Sequence, residues 1–382
     1  MRVLIDARSA VFAEPTGVGT YTRALLRELP RVDARTRYTA WYLRGRDLLR
    51  RGPRPSLGTD EAVRERWIPF PSRWFEIASE RWSLPRVEWL AAFDVLFAPN
   101  FVPPPTATDH LVVTVHDLAF RLFPETAPHG TRRWLARLDD AVRRAARVIV
   151  PSTCTKDDLC EAYRVDPARV VVIPHGVDHA RFNPDAKSRS HAVSARYGLD
   201  GPYLLALGGI EPRKNLPALV RAYASVPSDR RPLLAVAGGS VEWNPEGPSA
   251  LRSALLELPA DVRAGVVLTG YVRDHDVAAL VAGALALTYP SRYEGFGLPV
   301  LEAMACGTPV LSSSVSAIPE VAGDAATLVD PSDPEALADG LRRIVEDGAL
   351  RSRLSKAGVE RARAFTWPVT AERTATVLRE SA

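Results

Sequence analysis

Consecutive apolar residues recur along this chain in short bursts. RVLID at 2–6, DVLFAP at 94–99, LVVTVHD at 111–117, RVIVPS at 147–152 and VVVIPHG at 170–176 mark the first half. YLLALGG at 203–209, PLLAVAGG at 232–239, GVVLTGY at 265–271, LALTYPS at 285–291 and TPVLSS at 308–313 repeat the pattern in the second. A strand with one wet face alternates apolar and polar residues, whereas a run apolar at every position is buried on both faces. Helix-like segments separate the runs, so the pattern predicts parallel sheets covered by helices on both sides. This is α/β architecture, in two doubly wound Rossmann-like domains. The seam falls in HARFNPDAKSRSHAVSARYG at 179–198, polar and broken by Pro184, after which Tyr203 opens a new strand-first unit. The expected domains are 1–187 and 188–365. A terminal helix within 366–382 is expected to pack back on the first of them.

Composition narrows the class. At 382 residues the chain exceeds one ordinary core and fits two domains of roughly 150 to 200 residues. Hydrophobic residues at 46% and charged residues at 25% exclude a disordered or fibrous chain. The net charge of +4, carried mostly by arginine, suits small anionic partners and does not require nucleic acid. Cys154, Cys160 and Cys306 form an odd set without CxxC spacing, which indicates neither a disulfide framework nor a zinc knuckle. The opening MRVLIDARSAV is too short in apolar residues for a signal peptide, and no uncharged apolar stretch reaches about 20 residues. A soluble cytoplasmic chain is expected, peripheral at most to the inner face of a membrane.

Three loops carry candidate chemistry. Gly17 and Gly19 open a helix after the first strand, where backbone N–H groups can meet an anion. A dinucleotide fingerprint would need glycine at position 22, and Thr22 stands there. Helix capping and close ligand approach both remain open readings of this loop. In LALGGIEPRKNLPALVRAY, Gly209 follows a strand, and Glu211, Arg213 and Lys214 precede a helix. Adjacent cations at such a junction suit a diphosphate, arginine as a fork and lysine as a point charge, with a solvated surface pair as the bland alternative. In SRYEGFGLPVLEAMACGTPVLSS, a strand gives way to a loop and then to a helix beginning near Leu298, with Pro299 tolerated in its first turn and Gly307 ending it. N–H groups around Phe296, Gly297 and Leu298 then face the carboxyl edge of the sheet, where such folds bind ligands. Glu302 in that helix can accept ribose hydroxyls, and Glu294 sugar hydroxyls, since each carboxylate offers several acceptor sites.

With these residues in view, the chain resembles glycosyltransferase family four. Glu294 and Glu302 match its Glu-x7-Glu pattern within EGFGLPVLEAMACGTPV, and GGIEPRKN at 208–215 matches its phosphate-binding segment. The early glycine loop and VHD at 115–117 match as well, so the resemblance spans nearly the whole chain. It implies a GT-B fold, two facing Rossmann-like domains with a cleft between them. It also implies a retaining transfer of a hexose from a nucleotide-sugar, with no cofactor and no essential metal. Lys214 and Arg213 would hold the diphosphate, Glu302 the ribose and Glu294 the transferred sugar, while His116 would approach the reacting end. Many relatives carry arginine just beyond the strand's glycine, where this chain has Gly209-Ile210; the resemblance passes that role to Arg213. EPRKN resembles mannosyltransferases of bacterial surface polysaccharides. GDP-mannose is therefore the favoured donor, with UDP-, dTDP- and ADP-sugars as alternatives, and a saccharide or lipid-linked saccharide the acceptor. A GT-B epimerase or phosphorylase, or a non-catalytic nucleotide-sugar binder, would share the fold.

Other polar clusters have plainer readings. Asp274-His275-Asp276 resembles a metal-holding acid pair, but its position between strand and helix favours Asp274 as an N-cap. His175 and His179 are four apart, yet Pro174 and Gly176 argue against a helix presenting them to a metal. In SRWFEIASERWSLPRVEWL at 72–90, Arg73, Trp74, Phe75, Arg81, Trp82 and Trp89 fit either helix packing on the first sheet or contact with a membrane surface.

Overall fold

The computed structural model describes residues 1–11, 16–44, 57, 62–123, 131–239 and 246–382, without the side chains of 131–134 and 246. Two compact units divide the chain. The first comprises Met1–Leu118, Arg132–Gly176 and Trp367–Ala382, and the second Ala119–Thr131 and Val177–Thr366. The expected boundary at residue 187 thus lies eleven residues beyond the division at Gly176, because Phe182 and Ala186 are buried in the second unit's core beside Val193 and Ala278.

In the first unit, strands β1 (Arg2–Asp6), β2 (Arg37–Leu43), β3 (Val63–Ile68), β4 (Val95–Ala98), β5 (Leu111–Thr114), β6 (Arg147–Val150) and β7 (Val170–Val172) form one sheet. Their order is β3-β2-β1-β4-β5-β6-β7, and every pair is parallel. The runs at β1, β4 and β5 are buried almost throughout, and apolar layers cover both faces of the sheet. One layer includes the last helix, Trp367–Glu380, whose Trp367, Ala371, Ala375 and Leu378 bury against Tyr21, Leu25 and Leu29 of the helix Gly17–Val32.

The second unit repeats the plan with β8 (Tyr203–Leu207), β9 (Leu233–Ala237), β10 (Val266–Gly270), β11 (Ala286–Tyr289), β12 (Val310–Ser313) and β13 (Thr327–Val329). All pairs are again parallel, in the order β10-β9-β8-β11-β12-β13. Three strands, β2, β3 and β13, lie outside the apolar runs. Polar residues interrupt RYTAWYL and VRERWI, β3 is an edge strand with Arg64 and Arg66 exposed, and TLV is three residues long. In each sheet the chain fills one side and then crosses to the other. The reversal lies between β1 and β4 in the first unit and between β8 and β11 in the second. Such switch points leave a crevice at the carboxyl ends of the flanking strands.

Candidate active site

At the second unit's switch point, the loop after β8 and the loop after β11 bracket a small cavity lined by Leu207, Gly208, Gly209, Lys214, Tyr289 and Pro290. Glycine is required for this construction. Gly208 has φ of +131°, and the Lys214 side chain crosses it, with Nζ 3.7 Å from where a Cβ would stand. Behind it, a Cβ on Gly238 would lie 1.9 Å from the Gly208 carbonyl oxygen, so only glycine lets the loops after β8 and β9 meet. The Arg292 N–H donates to the Arg213 carbonyl at 2.8 Å and ties the two bracketing loops together.

The turn Pro212–Lys214, closed by Asn215 at φ of +57°, aims Arg213 and Lys214 at the β11 loop. Lys214, Glu294 and Tyr289 are all buried there. Lys214 Nζ donates to Glu294 Oε1 at 2.6 Å and to the Tyr289 hydroxyl, and it lies 4.6 Å from the Tyr289 ring centroid. Arg213 Nη1 donates to Glu294 Oε2 at 2.8 Å, and Arg213 Nε donates to Glu211 at 2.7 Å. Burial alone would raise the Glu294 carboxyl, but Arg213 and Lys214 outweigh it and hold the pKa to about 2. Burial, reinforced by Arg213, lowers the Lys214 pKa against the opposing pull of Glu294 and Glu211. An ammonium has three hydrogens, so two fixed acceptors leave Lys214 one donor for an incoming anion.

Glu302 stands apart from this network. It lies on the helix Leu298–Ala305, whose first turn holds Pro299 as expected. Gly297 caps the helix at φ of +102°, and a Cβ there would come within 2.7 Å of Ile318 Cδ1. Phe296 is buried edge-on to Phe365, with ring centroids 6.0 Å apart, and Leu298 packs on the same core. Glu302 is half-buried, and no side chain among the described residues bonds its carboxylate. Burial drives its pKa up to about 7, with Arg181 opposing and Asp274 adding to the rise. Two carboxyls on one loop-helix segment are therefore in opposite states, Glu294 locked as an anion and Glu302 balanced near neutrality.

In the first unit, His116 sits two residues past β5 and is buried. Its Nε2 is 2.8 Å from the Pro99 carbonyl, which can only accept, so that nitrogen carries the proton. Nδ1 then accepts from His175 Nε2 at 3.3 Å. Tyr21 packs against both imidazoles, at 4.9 and 4.7 Å between centroids. Burial drops His116 to about 4, against the pull of the Pro99 carbonyl, and keeps it neutral near pH 7. Gly19 donates its N–H to the Thr16 hydroxyl at 3.2 Å, so the capping role of that loop is filled within the chain. Residues 12–15 of the same loop lie outside the described residues.

Asp274 requires a correction. Arg273 is the N-cap residue and Asp274 the first residue of the helix, where its carboxylate pairs with Arg181 at 2.8 Å. Asp276 is buried against Arg196 and the Tyr197 hydroxyl at 2.8 and 2.9 Å. Cation pairing, not capping, occupies both acids. No group of three metal-ligating side chains occurs among the described residues. Tyr289 was not among the expected site residues, Glu211 was named there only as a neighbour of the two cations, and His175 only as a metal ligand argued against. The usable signal was position: each lies at a strand's carboxyl end or in the loop after it, on the edge where parallel sheets bind ligands.

Two family models match the chain. Glycosyl transferases group 1 covers residues 192–361, and Glycosyltransferase Family 4 covers 15–181. O-antigen chain mannosyltransferase B of Escherichia coli is 31% identical over 279 residues, 72% of this chain and 71% of that protein. A D-inositol 3-phosphate glycosyltransferase of Nocardioides is 35% identical over 287 residues, 71% of this chain and 62% of that protein. Among solved structures, Anabaena HepE in complex with UDP and glucose superposes with a TM-score of 0.70 at 18% identity, covering 100% of both chains.

Proposed function

Because the chain belongs to the group 1 glycosyl transferases of the GT-B fold, we propose that it moves a hexose with retention of anomeric configuration from a nucleotide-sugar, GDP-mannose in the favoured reading, to a saccharide or lipid-linked saccharide. That it is a glycosyltransferase follows from the family. The donor reading is carried by one observation: Lys214, a buried lysine at the switch point, has two of its three donors fixed by Glu294 and Tyr289. The third suits a diphosphate oxygen. As the bond from sugar to diphosphate breaks, negative charge grows on the leaving phosphates. A preorganised ammonium beside a guanidinium stabilises that charge without reorganising. Glu302, near neutrality and unbonded, suits a ribose diol, and Glu294 offers its carboxylate to the sugar while holding both cations in place. The attacking acceptor approaches on the face the leaving group vacates, with the departing phosphate taking its proton. No metal enters this scheme. His116 enters the proposal on the family resemblance, as a neutral imidazole whose Nε2–H is held by the Pro99 carbonyl.

Mannose is favoured by the likeness to the O-antigen mannosyltransferase, while the UDP bound to HepE keeps a uridine donor as the second reading. With a lipid-linked acceptor, the enzyme works in the cytoplasm at a membrane face; among the described residues no helix is long and apolar enough to cross one. Thermal-shift screening of GDP-, UDP-, dTDP- and ADP-sugars separates the donors, since a ligand at 100 times its Kd stabilises by about 2.7 kcal/mol. The proposal expects GDP-mannose to give the largest shift; a larger shift with UDP-glucose would assign the donor to uridine.

A further inference from the structure

Twelve large apolar side chains stand exposed among the described residues, and seven of them fall between 67 and 89: Trp67, Phe70, Trp74, Ile77, Trp82, Leu84 and Trp89. Trp74, Trp82 and Trp89 are each more than 60% exposed, so the concentration is one of bare indole rings and not of half-packed edges. The helix Ser72–Trp82 shows how this arises. Phe75 and Ser79, four apart, form its inner face, with Phe75 lying 5.7 Å from Trp41. Trp74, Ile77 and Arg81, at spacings of three and four, lie along the opposite side. The outward side thus carries Trp74 and Ile77, and Trp82, seven residues on from Phe75, stands bare at the helix's last position, so the helix leaves large apolar residues exposed that a water-facing element would keep polar.

Charge on this segment is sorted as well. Arg64, Arg66, Arg73, Arg81 and Arg86 are exposed, and none makes an ion pair among the described residues. Two of the segment's four acids are tied into the fold. Glu65 accepts from the Tyr42 hydroxyl at 2.9 Å and from the Leu57 N–H at 3.2 Å. Glu88 accepts from the Thr106 hydroxyl and the Ala107 and Thr108 N–H groups. Glu76 and Glu80 are exposed on the helix Ser72–Trp82, close enough to Arg137, a half-buried cation of the same unit, for their charges to act on it. What faces outward is tryptophan interleaved with unpaired arginine. Indole rings and guanidinium groups together suit the headgroup layer of a bilayer, where the ring meets the acyl boundary and the cation meets phosphate.

We propose that residues 64–89 of the first unit form a docking surface for a bilayer rich in acidic phospholipids, with Trp74, Trp82 and Trp89 entering the headgroup layer and Arg73, Arg81 and Arg86 pairing with its phosphates. The inference rests on the lipid-linked acceptor reading only for its use in the reaction. Its test contains neither donor nor acceptor, so failure here leaves sugar transfer standing, and failure of transfer leaves the surface standing.

The full-length chain is sedimented with vesicles of phosphatidylcholine alone and of phosphatidylcholine mixed with phosphatidylglycerol. Binding is expected to the mixed vesicles, weakening with salt, with a blue shift of tryptophan emission. Each arginine near an acidic surface adds about fivefold in partitioning, so the double substitution Arg73→Gln, Arg81→Gln lowers binding by roughly 25-fold. The double substitution Trp74→Ser, Trp82→Ser shrinks the blue shift to the part Trp89 supplies and removes most of the binding while leaving the melting temperature unchanged, because both positions are exposed. Equal binding to the two vesicle types overturns the acidic-lipid assignment, and no binding to either overturns the surface. Self-association that is abolished by the tryptophan substitutions, without vesicle binding, assigns the face to a second copy of the chain and overturns the proposal.

Discussion

Glu302 offers a titration with a defined sign. Burial raises its pKa to about 7 from an ordinary 4.5, so in the free protein it is protonated below neutrality and charged above. The charged form is the better acceptor for two ribose hydroxyls. Binding that selects the carboxylate must therefore strengthen as pH rises through 7. From the fraction ionised, about one tenth at pH 6 and about nine tenths at pH 8, nucleotide affinity should rise about tenfold across that window. The same shift destabilises the free fold as pH climbs from 4.5 through 7, by up to about 3 kcal/mol when the charge is complete. Glu302→Gln removes both effects: the free variant should melt higher than wild type at pH 8, yet bind nucleotide more weakly and with a flatter pH dependence. Calorimetry with GDP and with UDP reads the affinities. Because the nucleotide's own phosphate titrates in the same range, the informative quantity is the wild-type slope minus the slope of the Glu302→Gln variant. Identical slopes in the two proteins would refute the reasoning, as would a wild-type affinity that falls with rising pH.

Three further outcomes follow from the same geometry. Lys214→Ala removes a charge-assisted hydrogen bond and should weaken donor binding or turnover by roughly 10- to 100-fold; wild-type kinetics in the folded variant would remove Lys214 from the site. Glu294→Ala strands the buried Lys214 ammonium, while Arg213 keeps Glu211, and should destabilise the second unit by about 3 kcal/mol, visible as a lower melting temperature. The milder Glu294→Gln should retain GDP affinity and lose transfer, and equal losses of nucleotide affinity in the Glu294 and Glu302 variants would refute their separate roles. Turnover should survive excess EDTA, whereas abolition by EDTA with rescue by manganese would bring metal chemistry back into the scheme.

The parallel sheets were legible because ten runs are mainly apolar at successive positions, and most of them are strands covered on both faces; β10, an edge strand with Leu268 exposed, carries such a run without that burial. Where that signature fails, so did the reading. β3 has an alternating, charged sequence because it is an edge strand, and β2 reaches burial through Tyr38, Trp41 and Tyr42 instead of aliphatic residues. Glycines and prolines marked the helix Leu298–Ala305 closely, since Gly297 needs its positive φ and Gly307 its left-handed turn. Pairings remote in sequence were hidden. Lys214 meets Glu294 eighty residues away, and His116 meets His175 fifty-nine residues away. Only the strand order, which local pattern does not encode, brings each pair to the carboxyl edge of its own sheet. Asp274 shows the opposite limit: its local context fits an N-cap, and Arg181, distant in sequence, claims the carboxylate.

In the proposed reaction the second unit's switch point holds a nucleoside diphosphate sugar through Lys214 and Glu302. A crystal structure of the full-length chain grown with GDP-mannose tests it directly. The diphosphate is expected within hydrogen-bond distance of Lys214 Nζ, which keeps its contacts to Glu294 and Tyr289, and the ribose hydroxyls on the Glu302 carboxylate. Nucleotide bound elsewhere, with Lys214 and Glu302 untouched, would contradict it.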